Sequence, residues 1–339
     1  MLARLPGLDL EALTCWLDDA HPGLRDGGLR AEAIVGGKSN LTYLVTDRRN
    51  RWALRRPPLA HLLPTAHDMA REYRVISALS RTDVPVPEAV ALCSDPGVLG
   101  APFYLMNFVD GVVLDDKRTV AAFDPVRARR IGEELVDTLV ALHAVDPAAV
   151  GLDDFGHPDG FLDRQLRRWH AQWEASETRE LPVLAEVVDA LREARPVSPS
   201  PTVVHGDYRL TNVIVGADLD RIAAVVDWEM ATVGDPLTDV GLLTVYHQLA
   251  TDSDFTMPRM HPRDGFLAPA ELVERYARHS GRDVSQLDWY VAFGFFKLAV
   301  VAEGIAARHL QGKTVGAGFE RFGAAVPGLL EQARGILHG

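Results

Sequence analysis

A chain of 339 residues is long enough for two domains, and a hydrophobic share of 47% is that of a globular protein. The net charge of −12 argues against a general nucleic-acid binder, which carries a basic patch or stripe. Cys15 and Cys93 are the only cysteines and form no CxxC, which argues against a zinc knuckle or redox motif and for a reduced compartment.

Residues 1–20 carry Asp9, Glu11, Asp18 and Asp19, without a basic start or an unbroken apolar stretch, so no secretory signal is expected and the cytosol is the default. Residues 8–20 read as a short amphipathic helix. Strands are expected at 29–35 and 41–46, on either side of Gly36-Gly37-Lys38-Ser39-Asn40, and a third at 51–55 before Pro57-Pro58. From 68 to 80, Met69, Tyr73, Ile76 and Leu79 recur at helical spacing. Pro85 and Pro87 mark a turn, 89–93 reads as strand, and 103–108 is a further apolar run. The first third is therefore β-rich with one principal helix.

From about residue 112 the pattern is helical. Ile131, Leu135, Leu139 and Leu142 share a face of 127–145; Leu162, Leu166, Trp169 and Trp173 share one of 161–176; and 181–194 is a further helix. A proline-rich connector at 195–202 leads to His205-Gly206-Asp207-Tyr208-Arg209-Leu210-Thr211-Asn212. The apolar runs 213–215 and 222–226, split by the loop 216–220, read as a β-hairpin. Helices resume near Leu237 and run to the end. Among them, 291–307 is apolar, but its length and its Lys297 and Glu303 favour a buried helix over a membrane span. Residues 251–265, with Met257, Pro258, Met260, His261 and Pro262, are the expected mobile or substrate-shaping loop. The fold class expected is α+β, with an N-terminal lobe at 1–108 and a helical lobe at 109–339.

Chemistry concentrates at Asp207, Asn212 and, fifteen residues after Asn212, Asp227. Asp207 can accept a proton from an attacking hydroxyl. Asn212 and Asp227 offer the hard oxygen ligands that Mg2+ prefers, and a hairpin would carry them to the same end. Gly36-Gly37-Lys38-Ser39 is not a Walker A loop: Glu32 stands where that loop needs glycine, and a strand follows instead of a helix. A hairpin turn over nucleotide phosphates fits better, with Gly37, Lys38 and Ser39 in contact. A small β-rich lobe before a larger helical one suggests a bilobal protein-kinase-like arrangement, with ATP in the cleft.

Gly37-Lys38-Ser39-Asn40-Leu41-Thr42-Tyr43, Leu54-Arg55-Arg56-Pro57-Pro58, Ala66-His67-Asp68-Met69-Ala70-Arg71-Glu72-Tyr73, the His205–Asn212 run and Asp227-Trp228-Glu229 together carry a resemblance. The chain resembles the aminoglycoside-phosphotransferase-type small-molecule kinases. More narrowly, it resembles the kinase domains associated with acyl-CoA dehydrogenase family members ten and eleven. The resemblance implies that Asp207 is the catalytic base and that Asn212 and Asp227 hold magnesium. It implies that Arg55, paired with Glu72, neutralises nucleotide phosphate where protein kinases use lysine, with Arg56 as a competitor for that role. It places Met106, Asn107 and Val109 against adenine, and Asp239 in support of the catalytic loop. Asp235, before Pro236, is expected to cap a helix. Trp228, in place of the phenylalanine of protein kinases, is expected to be packed; Glu229 is either a further ligand or exposed.

The acceptor implied is a small-molecule hydroxyl, with no nucleic-acid or membrane partner; the narrower resemblance points to a hydroxyacyl group, such as a hydroxyacyl-CoA. Aminoglycosides or amino alcohols are the alternative acceptors. A catalytically silent nucleotide-binding protein, or a metal-dependent phosphohydrolase using His205, Asp207 and Asp227, are the rival readings. A metal role for His61 and His67 is weak, and His143 reads as a core histidine. Arg164, Arg167, Arg168 and His170 read as a solvated helix face that could instead meet an anionic substrate.

Overall fold

The computed structural model describes residues 5–34, 40–59, 68–252, 258, 260–312 and 318–339. Gly37, Lys38, Ser39, His61 and His67, and most of the 251–265 loop before His261, lie outside these residues. The chain divides into two compact units, Met1–Gly111 with Ala223–Ala231, and Val112–Ile222 with Thr232–Gly339. A cut at 108/109 leaves residues 223–231 with the second segment, whereas by packing they belong with the first unit.

The first unit opens with helix α1 (Leu10–Ala20), whose Asp9 side chain accepts from the amides of Glu11 and Ala12. Strands β1 (Arg30–Ala33), β2 (Leu41–Thr46) and β3 (Arg51–Arg56) follow, then α2 (Met69–Leu79), β4 (Ala89–Cys93), the one-turn α3 (Pro96–Leu99) and β5 (Phe103–Asn107). The strands form one antiparallel sheet in the order β1-β2-β3-β5-β4. Leu13 and Leu17 of α1 pack with Val45, Trp52, Leu54, Phe103 and Leu105 of the sheet to make its core. Successive residues of a strand face opposite ways, so Arg55 and Arg56 have separate fates.

The second unit begins with the short α4 (Lys117–Val120), then α5 (Pro125–Ala144), α6 (Phe161–Glu174) and α7 (Pro182–Glu193). Short strands follow: β6 (Thr202–Val204), β7 (Val213–Val215), β8 (Ile222–Val225) and β9 (Thr232–Gly234). β7 and β8 form the expected two-stranded sheet, and β6 pairs antiparallel with β9. The chain closes with α8 (Leu237–Asp252), α9 (Pro269–Ser280), α10 (Leu287–Leu310) and α11 (Glu320–His338).

α10 is long and apolar enough to cross a membrane, but 83% of its most apolar window is buried inside the protein, where it packs on α8 and α11. Gly241 permits the close approach of α8, since a Cβ there would lie 2.6 Å from the Tyr290 backbone. Glu303 is buried within α10, and accepts from the amide and hydroxyl of Thr178 (2.8 and 2.6 Å) and from Arg179 (2.8 Å).

Candidate active site

In the first unit, Arg55 is the centre of a charge cluster. Its Nε lies 2.9 Å from Glu72 Oε2, its Nη2 donates to Asp227 Oδ1, and Glu229 Oε2 is 4.0 Å away. Glu72 comes from the first turn of α2, which Asp68 caps by accepting from the Arg71 amide. Arg71 in turn donates to the Ala231 carbonyl at 3.1 Å, which ties α2 to the 223–231 segment. Glu72 is only 1% exposed, and also accepts from Tyr104 (3.1 Å) and Asn40 (3.3 Å). The Asn40 amide reaches Glu229 as well, at 3.2 Å.

One guanidinium therefore serves three carboxylates. Burial opposes the charge on Arg55, but Glu72 and Asp227 outweigh it and hold the group above its ordinary value. Burial pushes Glu72 up, and Asp227 adds to this, against the pull of Arg55. Asp227 is the site's strained residue: its φ of 68° and ψ of 56° lie in the left-handed region, which non-glycine residues seldom adopt outside functional sites. Trp228 is buried and donates from Nε1 to the Val225 carbonyl at 3.0 Å, so the expected packing holds. Arg56 faces the other side of β3. It is buried, and its guanidinium donates to the carbonyls of Gly7, Leu99 and Pro57, a structural task that removes it as a competitor for Arg55.

The excess of carboxylate over guanidinium bears on magnesium. Asp227 and Glu229 are 29% and 23% exposed, and their oxygens are hard donors. A divalent cation would balance the negative charge that Arg55 leaves, so the residues present fit the ion. Along β5, Met106 is buried and Asn107 Nδ2 donates to Glu88 at 2.7 Å. The amide and carbonyl of Val109 make no hydrogen bond with any described residue.

In the second unit, Asp207 is held from several sides. Asn212 Nδ2 donates to its Oδ2 (2.9 Å) and to its backbone carbonyl (2.8 Å), and the Tyr246 hydroxyl donates to its Oδ1 at 2.6 Å. Arg209 Nε lies 3.4 Å from Oδ2. The loop itself hangs from Asp239, whose carboxylate accepts the amides of His205 (2.7 Å) and Gly206 (2.8 Å). Gly206 has a φ of 83°, a turn that glycine makes without steric cost. The Asp207 amide donates to His205 Nδ1 at 3.2 Å.

Asp239 is fully buried. Burial alone would raise its carboxyl, but His143, His205 and the His205 amide outweigh that and lower it. His143 is the core histidine expected: its ring nitrogens face Tyr276 Oη at 2.7 Å and Asp239 at 3.4 Å, and burial lowers its pKa. Asp235 caps α8 by accepting the Leu237 amide at 3.0 Å, and takes the Tyr290 hydroxyl at 2.8 Å.

Sequence reasoning singled out Asp207, Asn212 and Asp239 but passed over Tyr246, Arg209 and Lys297. Lys297 Nζ donates to the Gly206 carbonyl at 2.5 Å and lies 5.1 Å from the Trp169 ring centre. A lysine in the apolar middle of α10 was the available signal. Asn212 and Asp227 fall in different units, and each has the partners given above within its own.

Known proteins bear out the reading of the fold. The model of the Phosphotransferase enzyme family matches residues 30–291. Acyl-CoA dehydrogenase family member 10 of Mus musculus is 32% identical over 303 residues, covering 88% of this chain and 28% of that protein. Acyl-CoA dehydrogenase family member 11 of Rattus norvegicus is 31% identical over 312 residues, covering 90% of this chain and 40% of that protein. The chain thus spans less than half the length of these relatives.

A crystal structure from Ralstonia eutropha JMP134, provisionally named an aminoglycoside phosphotransferase, matches with a TM-score of 0.82 and 31% identity over 97% of this chain and 98% of that one. Aminoglycoside phosphotransferase APH(4)-Ia, solved with AMP-PNP and hygromycin B, shares the fold at a TM-score of 0.64 and 14% identity, over 96% and 98% of the two chains. The expected bilobal, protein-kinase-like α+β fold is the one these structures share. With most of its length matched by the family model and by relatives above 30% identity, the chain belongs to the Phosphotransferase enzyme family.

Proposed function

We propose that this chain is an ATP- and Mg2+-dependent kinase of a small-molecule hydroxyl, with a hydroxyacyl group, as in a hydroxyacyl-CoA, as the acceptor; similarity to acyl-CoA dehydrogenase family members supports an acyl-CoA-linked acceptor. The observation that carries this reading is the fixed Asp207 carboxylate, oriented by Asn212 and Tyr246 on a loop that Asp239 clamps. In-line attack by the acceptor oxygen forms a new bond to the γ-phosphorus as the bond to the β–γ bridging oxygen breaks, and ADP leaves. Asp207 accepts the hydroxyl proton. Arg55, kept charged by its carboxylate neighbours, offsets phosphate charge, and Glu72 fixes its orientation. Asn212 and Asp227 are the proposed Mg2+ ligands, and the ion would screen the phosphate oxygens. Gly37, Lys38 and Ser39 are assigned to the phosphates, and Met106, Asn107 and Val109 to the adenine. Positioning and electrostatics supply most of the acceleration in such chemistry.

An ATP-consumption screen with hydroxyacyl-CoAs, amino sugars and choline-like alcohols tests this directly. Asp207→Ala is expected to lower turnover on the best acceptor by roughly 10²–10⁴, with nucleotide affinity retained. Turnover like that of the unaltered protein would refute the base assignment. ATP consumption at background with every alcohol would leave only a nucleotide-binding role.

A further inference from the structure

Arg55 has three carboxylates within reach, Glu72, Asp227 and Glu229, so its direction depends on which of them is held in place. Glu72 is the most deeply buried of the three, and a buried carboxylate needs hydrogen-bond donors to stay charged. Asn40 Nδ2 approaches its Oε1 at 3.3 Å but is shared with Glu229 at 3.2 Å. The Tyr104 hydroxyl donates to its Oε2 at 3.1 Å, the oxygen that Arg55 Nε also faces at 2.9 Å. Among the described residues that hydroxyl has no other partner.

The sheet puts Tyr104 there. β3 and β5 run antiparallel with Arg55 directly opposite Tyr104, and opposite residues of such a pair point to one face. Phe103 and Leu105, its neighbours on β5, pack in the core with α1, so Tyr104 points to the other face, toward α2. Its ring meets that of Tyr73 in α2 edge-on, with centres 6.2 Å apart. Burial and Glu72 push the phenol well above its ordinary value, so it remains a donor well beyond neutral pH. Burial pushes Glu72 up, and the Arg55 charge and the Tyr104 hydrogen bond oppose this.

We infer that Tyr104 is a positioning residue of the nucleotide-phosphate site: its hydroxyl fixes the Glu72 carboxylate, and through it holds Arg55 in the orientation that meets phosphate, against the pull of Asp227 and Glu229. This rests on the assignment of Arg55 to ATP above. Tyr104 acts in this role without touching either reactant. Without the hydroxyl, Glu72 loses a donor inside the protein, and Arg55 has two other carboxylates to turn to.

Titration calorimetry with ATP and Mg2+ tests this with no acceptor present. Tyr104→Phe keeps the ring and deletes the hydroxyl. The dissociation constant for ATP is expected to rise by about 10-fold or more, the worth of a hydrogen bond to a charged group. At saturating ATP, KM for the acceptor is expected to be nearly unchanged. Glu72→Gln is expected to weaken ATP binding on its own. Added to Glu72→Gln, Tyr104→Phe is expected to weaken it little further, because the charge through which the hydroxyl acts is gone. If Tyr104→Phe fails to fold, Tyr104→Met, apolar and adaptable in shape, carries the same expectations.

A lower melting temperature with unchanged affinity for ATP overturns the inference, since it marks a hydroxyl that only ties α2 to the sheet. Additive losses in the double variant also overturn it, because Tyr104 then reaches ATP by a route other than Glu72. ATP that does not bind the unaltered protein sinks the parent reading instead.

Discussion

Tyr246 is the smallest lever on the proposed chemistry. Its hydroxyl donates to Asp207 Oδ1 at 2.6 Å, and Asn212 holds the other oxygen, so the carboxylate is fixed at both ends. A hydrogen bond to a charged group contributes about 1.5–3 kcal/mol. Tyr246→Phe removes that donor and keeps the ring that Arg209 covers. The expected result is kcat lower by about 10-fold or more, with KM for ATP and the melting temperature little changed. A rise in KM for ATP at unchanged kcat would show that Tyr246 acts on something other than Asp207. The partners of Asp207 differ in how far the sequence reveals them. Asn212 is five residues away on the same loop, and spacing suffices to find it. Tyr246 and Lys297 come from α8, where polar and apolar residues mix without one apolar stripe, and α10, which is apolar on nearly every face, so the pattern that reveals an amphipathic helix says nothing of which side chain turns toward the loop.

At the scale of elements, burial on several sides has a price in pH tolerance. His247 lies in α8, buried, with Nδ1 3.1 Å from the Leu243 carbonyl. Burial lowers its pKa from 6.5 to about 4. The folded protein therefore holds it neutral over a range in which the unfolded chain takes up a proton. Its contribution to stability is complete above pH 6.5 and is lost as pH falls toward about 4, a loss on the order of 3 kcal/mol. Urea unfolding of His247→Leu beside the parent is expected to show a shallower decline between pH 6.5 and 4.5; parallel declines would exclude His247 as a source of the acid sensitivity. The long helices carrying these residues were legible because three or more turns repeat a pattern. β6 and β9 are three residues each, and their pairing joins positions 202–204 to 232–234, a distance at which no local signal operates. α3 is a single turn, too short for periodicity.

At the scale of the molecule, the telling segment is 223–231, which lies late in the chain yet packs with the first unit and brings Asp227 to Arg55. The sequence reading kept it with its hairpin, since strand pairing is visible in a pattern and the side on which the following turn packs is not. Under the proposed function, the expected consequence is a coupling between nucleotide, metal and stability. A ligand that binds only the folded state stabilises it by about 2.7 kcal/mol at a hundredfold excess over its dissociation constant. For a chain of 339 residues that corresponds to a rise of roughly 3–6 °C in melting temperature. ATP with Mg2+ is expected to give that rise, and ATP with EDTA a smaller one, because the carboxylates around Arg55 then face the phosphates without a balancing cation. Asp227→Asn removes one of those carboxylates and an Arg55 partner. In that variant the increment due to Mg2+ should vanish, while ATP alone stabilises at least as well as before, through a guanidinium released to the phosphates. An increment from Mg2+ that survives in Asp227→Asn would place the ion elsewhere and leave Asp227 as no more than an anchor for Arg55.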